Sequence, residues 1–493
     1  MTAAPPATTA GAPDGGRAGR RGAAPLRRPA ALIARHPAFA VVLGLGVLLR
    51  LVAMLGYRPV MYFNDSFDYL HVAVEPYPHP LRPAGYSFLL LVLRPLHSFT
   101  LVALVQHLMG LAMGVMIYAV LRRRFGLPGW GAALAAAPVL LDAYQIQLEH
   151  LVLSDTLFSF LVVAAVTLLL WHGRPPLRIA AAVGLLLAAA WLTRTVGLPV
   201  LAGVCVFMLL RRDGWRPLTV MLAACAVPAV AYMSWFASAH GKFAMTESDG
   251  VFLFARAYKF ADCHKIPNLT VDEQQLCVQP GNKLPNSQDG IWDRRSPLKR
   301  VVDLQRFGPR QNEIAGGFSR KAIMAQPGDY LAVVAGDFFR AFRWERTVFP
   351  DLKTYRLYEF EKSAVPLPVW RMDADSTAAD VAVAYEGGPA QTQVVEPFAG
   401  MIRFYQDHFY LRGTMVGALL LVGLAGMVPL WRRLGGAAFL PWTLATGLLL
   451  APAATAEFDY RYVLPAVPLA SLAAALAFTG PLGRAGRPPS GGQ

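Results

Sequence analysis

The sequence predicts an all-α polytopic membrane protein: about ten transmembrane helices carrying an extracytoplasmic, α-containing loop domain. Three observations predict it. The 493 residues are 55% hydrophobic and only 16% charged, a balance that soluble domains do not show. Apolar runs near the roughly 20 residues that a helix needs to cross a bilayer recur along the chain. The cations outside one long polar stretch gather on alternate connections between those runs.

The runs lie near 37–57, 99–121, 127–144, 149–171, 177–194, 196–210, 217–239, 409–430, 437–455 and 460–480. Ten crossings return the chain to its starting side. That side holds Arg17, Arg20, Arg21, Arg27, Arg28 and Arg35 of the tail, the hairpin arginines 122–124, 174, 178, 211, 212, 216, 432 and 433, and Arg484 and Arg487. These 18 cations face two acids, Asp14 and Asp213. The positive-inside rule makes the side cytoplasmic, so a multi-pass protein of the plasma (inner) membrane is expected, with both termini inside. The net charge of +15 is then topology, and no nucleic-acid partner is expected.

Residues 1–36 read as a basic cytoplasmic tail, rich in Ala, Gly, Pro and Arg and expected to be disordered. No apolar core precedes residue 37, so the first span is expected to stay as an uncleaved anchor. Residues 37–239 form an N-terminal transmembrane module of about seven helices, with an exterior first loop at 58–98. Residues 240–408 are the one long polar segment, with all eight lysines, 13 arginines and 21 acids. They read as an extracytoplasmic loop domain with little core of its own, a lid or recognition element. Spans at 409–480 and a short cytoplasmic tail, 481–493, complete the chain. Cys263 and Cys277 share the exterior segment, where the environment is oxidising, and the sequence leaves open whether they bridge.

Ten acids lie outside the polar segment, and eight fall at the exterior mouth of the bundle: Asp65, Asp68, Glu75, Asp142, Glu149, Asp155, Glu457 and Asp459. Asp65 and Asp68, three apart, share a face if helical. Such a pair activates a hydroxyl, holds a cation or stabilises a cationic transition state; the plainer alternative is a helix cap with a solvated neighbour. Glu149 and Asp155 stand at the predicted head of span four, where an acid faces a polar cavity or caps the helix. His150 beside Glu149 is more simply structural than a metal ligand. Arg194 and Arg461 share the same level. They are either phosphate ligands, as guanidinium geometry allows, or side chains snorkelling to headgroups. Arg50, inside span one, fits either reading.

The first exterior loop runs Asn64-Asp65-Ser66-Phe67-Asp68-Tyr69-Leu70 and then Arg82-Pro83-Ala84-Gly85-Tyr86. Glu149 is followed by Leu153-Ser154-Asp155-Thr156-Leu157-Phe158, span five ends Leu192-Thr193-Arg194, and the last span opens Arg461-Tyr462-Val463-Leu464-Pro465. In order and sidedness these motifs resemble the GT-C glycosyltransferases, in particular the lipid-carrier-dependent group similar to protein O-mannosyltransferases and lipid A aminoarabinose transferases. The resemblance spans 40–240 and 455–480 and leaves 240–408 unmatched. It implies a polyprenyl-phosphate sugar donor, an extracytoplasmic glycan, lipid or protein acceptor, and inversion at the anomeric carbon. Asp65 becomes the catalytic acid. Asp68, Arg82, Glu149, Asp155, Arg194, Arg461 and Tyr462 become substrate-binding residues, with Arg194 and Arg461 on the carrier phosphate. A second acid often follows the first in this family; here Ser66 stands there. No cofactor is assigned, and a divalent metal ion is left open.

Bond chemistry agrees with that expectation. Cleaving a glycosyl phosphate builds positive charge on the sugar carbon and negative charge on the phosphate, which carboxylates and arginines stabilise respectively. The main alternative is a transporter or flippase of a lipid-linked or anionic substrate, which would favour ionisable groups and broken helices at mid-bilayer. A non-catalytic scaffold is the other. Trp292, Trp344 and Trp370 of the polar segment either stack on sugars or form that segment's own core.

Overall fold

A computed structural model describes residues 1, 2, 4, 35–301, 307–429 and 436–479. Most of the basic tail at 1–34, Arg432 and Arg433, and the terminal residues 480–493 lie outside the described residues, so the tails expected there are not described. Among the described residues the chain is all-α apart from one two-stranded ladder and two isolated bridges. Helices stand at every predicted apolar run. Five of them are long and apolar enough to cross a membrane: Pro37–Gly56, Phe99–Arg124, Ser154–Trp171, Trp215–His240 and Gly436–Thr455. A sixth arises if Phe398–His408 and Gly413–Met427, bent by 56° at their junction, count as one span.

The helices used below are α1 (Pro37–Gly56), α2 (Ser66–Val74), α3 (Gly85–Leu93), α4 (Phe99–Ala119), α5 (Gly129–Leu141), α6 (Ala143–His150), α7 (Ser154–Trp171) and α8 (Leu177–Thr193). The other expected spans are shorter than a bilayer. The helix α5 has 13 residues, about 20 Å at 1.5 Å per residue. Asp142 ends it by capping α6, its Oδ2 accepting from Gln145 N at 3.2 Å. The run expected to start at 149 is therefore divided: residues 143–150 form a separate buried helix and α7 begins at Ser154. The last apolar helix, Val467–Leu476, is buried at all ten positions. A helix apolar all round belongs at the centre of a bundle, and this one packs on α5 and on Gly413–Met427.

The polar segment has more core than its composition predicts. Val251, Phe254, Tyr258, Ile291 and Phe318 belong to a separate hydrophobic cluster drawn from residues 251–322. This corrects the expectation of little independent core: Asp249–Phe260 and Pro309–Ala325 each bury a face against the other. Cys263 and Cys277 are joined in a disulfide beside it. The later part behaves differently. Tyr358, Phe360, Val381, Tyr385 and Ile402 join the core of the membrane module. Tyr57–Arg58 and Gln393–Val394 pair antiparallel, Tyr57 opposite Val394. The polar segment thus returns to the start of the 58–98 loop and is tied to it.

Candidate active site

The first loop is held in place by groups that the sequence also uses as motifs. Ser66 Oγ donates to Val152 O at 2.7 Å and accepts from Phe63 N at 2.8 Å. It is fully buried, so the residue standing where the resembled family often has a second acid fixes the backbone. Tyr69 Oη and Ser154 Oγ are 2.9 Å apart, joining α2 to the head of α7. Gly85 lets α3 meet the end of α8: a Cβ there would lie 2.5 Å from the carbonyl carbon of Leu192. The glycine of the Arg82–Tyr86 motif is required by this close approach.

Asp65 occupies the cap position of α2, yet its side chain makes no capping bond. It turns to two arginines instead. Arg461 Nη1 donates to Oδ2 at 2.5 Å and Arg82 Nη2 donates to Oδ1 at 2.6 Å. Burial alone would raise this carboxyl; the Arg461 and Arg82 guanidinium groups outweigh it and hold the pKa down at about 2. Arg82 Nε also donates to Asp68 Oδ2 at 2.7 Å, and burial disfavours its charge less than Asp65 and Asp68 favour it. His79 Nε2 lies 3.8 Å from Asp68. Burial lowers that imidazole to about 4.

Arg461 also pairs with Asp459 at 3.2 Å. Asp459 accepts a hydrogen bond from Tyr358 Oη, and burial pushes its carboxyl up. Arg461 and Arg194 both stand 5.2 Å from the centre of the Tyr462 ring. Behind that ring Arg194 forms an ion pair with the buried Asp155.

Asp65, Asp68, Arg82, Arg461 and Tyr462 line a cavity of about 830 Å³. The polar segment also contributes to its lining, with Trp292 and Trp370 among those residues. Trp370 meets Phe67 edge to face at 5.5 Å. Trp344 lies apart from this cavity's lining, against Arg412 at 5.4 Å. Asp155 and Arg194 lie one layer back.

Glu149 is not brought to this cavity. It is fully buried among the helices, where Arg50 Nε and Nη2 donate to its two oxygens at 2.7 and 2.8 Å. Gln145 Nε2 and His107 Nδ1 lie 3.0 Å from it. Gly110 makes the room, since a Cβ there would sit 1.9 Å from Glu149 Oε1. The chain continues from His107 Nε2 to His150 Nδ1 at 3.1 Å, and from His150 Nε2 to Tyr57 O at 2.6 Å. His107 is not among the residues the sequence singles out; Arg50 is, as a phosphate ligand or a snorkelling side chain, and it pairs with Glu149 instead. The signal for both was a polar residue inside a predicted apolar span.

Asp65 and Asp68 do not fit a metal. Both oxygens of Asp65 and one of Asp68 are taken by guanidinium groups, which already neutralise them. Among the described residues, His71, Glu75 and Asp373 could hold a cation, with ligand atoms within 4.8 Å of one another. His71 Nε2 and Asp373 Oδ2 are already hydrogen-bonded at 2.7 Å.

No family model and no curated protein sequence matches the chain. Among solved structures, it is similar to the S. cerevisiae protein O-mannosyltransferase Pmt1-Pmt2 complex bound to the sugar donor, at 16% identity and TM-score 0.34 over 45% of this chain and 36% of that one. The apo oligosaccharyltransferase of Archaeoglobus fulgidus matches at 14% identity and TM-score 0.40 over 89% of this chain and 50% of that one. ArnT from Cupriavidus metallidurans bound to undecaprenyl phosphate matches at 12% identity and TM-score 0.36 over 87% and 77%. The chain spans about a third of the first of these and half of the second.

Proposed function

We propose that this protein is a membrane glycosyltransferase that moves a sugar from a polyprenyl-phosphate donor to an extracytoplasmic acceptor. The observation that carries the reading is Asp65 held between Arg82 and Arg461 on the wall of a cavity of about 830 Å³. That volume accommodates a sugar with its phosphate and an acceptor group. Paired charges of both signs at one point match the charge separation of glycosyl-phosphate cleavage.

In this reading the acceptor oxygen attacks the anomeric carbon as the carbon–oxygen bond to phosphate breaks. The bonding pair leaves with the carrier phosphate, which Arg461 receives, with Arg194 behind the shared Tyr462 ring. Asp65 orients and polarises the acceptor hydroxyl. With its pKa held at about 2, it is a poor final proton acceptor. A departing phosphate monoester, with a second pKa of about 6, is the better base, so the acceptor proton ends on the carrier. Arg82 positions Asp65 and Asp68. Trp370 and Trp292 provide ring surfaces on the acceptor side. Glu149, neutralised by Arg50, acts at a distance, through the His107–His150 chain that reaches the Tyr57 carbonyl at the start of the first loop.

The test is transfer in membranes. A radiolabelled polyprenyl-phosphate sugar pool is supplied to vesicles with and without the protein, and label is followed into lipid, glycan and protein fractions. Protein-dependent movement into any fraction supports the reading. Donor crossing the membrane without loss of its sugar would favour a flippase instead.

A further inference from the structure

Two helices of the polar segment carry an apolar stripe that nothing among the described residues covers. In Pro327–Arg340 the inward face holds Val334 and Asp337, both buried. On the other face Leu331, Ala335 and Phe339 recur every four residues, and Leu331 and Phe339 are 61% and 65% exposed. Phe398–His408 is built the same way. Ala399, Ile402 and Gln406 are buried, while Met401 and Phe404 are 55% and 61% exposed. Contiguous apolar surface is uncommon on a face turned to water and marks a partner, protein or membrane.

Both stripes sit where apolar helices end. Tyr330 Oη donates to Ala454 O at 3.1 Å, which sets the first helix against the end of Gly436–Thr455 that leads to Arg461. Its exit reaches Gly413, the first residue of Gly413–Met427: a Cβ there would lie 2.5 Å from Ala341 O. The second helix packs on the end of α1, where a Cβ on Gly56 would lie 2.8 Å from Ala399 N. Tyr405 Oη donates to Leu141 O at 2.6 Å, at the end of α5. The chain then turns by 56° into Gly413–Met427. The two helices therefore converge on the same end of α1, α5, Gly413–Met427 and Gly436–Thr455. Arg412 gathers Trp344 and Tyr410 at that junction, 5.4 and 4.0 Å from their ring centres. Such aromatic and cationic side chains favour headgroup level. Past the first helix the chain is pinned by Arg346, hydrogen-bonded to Tyr144 and 3.6 and 4.3 Å from the ring centres of Tyr144 and Tyr460.

We propose that Pro327–Arg340 and Phe398–His408 lie in the headgroup–acyl boundary of the bilayer, with Leu331, Phe339, Met401 and Phe404 inserted among the lipid chains. An amphipathic helix in this position buries its apolar face roughly 5–10 Å into that boundary. The 56° bend is then the turn from a surface helix into a crossing one, and Phe398–His408 is not the first half of a broken span. The polar segment is docked on lipid at two points. Pro350, Asp351, Lys353 and Trp370 of the large cavity's lining lie on the chain between them, so the bilayer holds both ends of that wall. The docking goes beyond the transfer reading and does not depend on it.

The experiment places a nitroxide spin label at one position at a time in the full chain, reconstituted in phosphatidylcholine nanodiscs. The background carries Cys205→Ala and Cys225→Ala and keeps the disulfide. Leu331→Cys, Phe339→Cys, Met401→Cys and Phe404→Cys are compared with Val271→Cys, an exposed position beside Asp272 and Glu273. The substituted side chains are already exposed, so the packing of both helices is kept. Collision with oxygen, which concentrates in lipid, and with a water-soluble nickel chelate is read by power saturation. The four stripe positions are expected to show an oxygen-to-nickel ratio several-fold above that of Val271→Cys. A ratio equal to that of Val271→Cys in either helix would mean that its stripe faces water, and would overturn the proposal. Low access to both reagents would mean that protein, such as a second copy of the chain, covers the stripe, and would overturn it equally.

Discussion

Asp65 and Arg461 are 396 positions apart and joined by a 2.5 Å buried ion pair, so the loop at 58–98 and the opening of the last membrane helix form one charged unit. Arg461 is the group that would meet the departing phosphate. Arg461→Gln is expected to lower kcat/KM by roughly 10²–10³, as loss of one oriented donor does elsewhere. The measurement is initial transfer rate against donor concentration. Unchanged kcat with a raised KM would assign Arg461 to ground-state binding only.

The pH response of Asp65 follows from its environment. Its folded pKa of about 2 lies below its ordinary value of 3.8, so its stabilising contribution is full above about pH 4. It is lost only as pH falls through about 2. Any loss of activity between about pH 5 and 7 is therefore not protonation of Asp65, and Asp65→Glu should leave the position of that limb unchanged. A pH–rate profile of both forms checks this.

Glu457 behaves in the opposite sense. Burial pushes its carboxyl from 4.5 up to about 7, while Ser287 N and Gln288 N donate to it at 3.1 Å. A raised carboxyl contributes stability below about pH 4.5 that is lost as pH rises through about 7. Between these values the thermal midpoint is expected to fall with pH, and Glu457→Gln should flatten that slope. An equal slope in both proteins would remove Glu457 as its source.

Glu149 and Arg50 form a fully sealed pair, so breaking it from one side should be severe. Glu149→Gln leaves Arg50 without its counter-charge and is expected to cost about 3–5 kcal/mol. Gly110→Ala should disrupt the same pair sterically, because the added carbon would fall 1.9 Å from Glu149 Oε1. Thermal unfolding in detergent reads both. A small effect of Glu149→Gln on stability with large loss of transfer would instead move Glu149 toward the chemistry.

The disulfide between Cys263 and Cys277, 14 positions apart, closes a short loop in the polar segment. Replacing both cysteines by serine is expected to cost roughly 3 kcal/mol. The 251–322 cluster should become sensitive to proteolysis, with the membrane helices unaffected.

Much of this arrangement was legible in the sequence, for a physical reason. Asp65, Asp68, Arg82, Arg461 and Tyr462 are charged or polar residues beside greasy spans, where such groups are costly and stand out. Helix positions followed from apolar runs, but not their breaks: Asp142 stops α5 by capping α6, a local hydrogen-bond choice that hydropathy does not register. Glu149 has the same composition signal as Asp65 and a different fate, because Arg50, in a helix far off in sequence, reaches it. The core of the polar segment was hidden for the opposite reason. Val251, Phe254 and Phe318 are diluted by charged neighbours, and only the pairing of their helices makes them a core. Arg346 carried no signal, since its meaning lies in four tyrosines drawn from three parts of the chain.

The most direct measurement compares sugar transfer from a radiolabelled polyprenyl-phosphate sugar in membranes carrying wild-type protein or Asp65→Asn at matched expression. The substitution keeps shape and removes the charge between Arg82 and Arg461. Loss of transfer by the variant, with the protein inserted and folded, is the predicted result. Equal transfer by the two proteins would contradict a catalytic centre at Asp65.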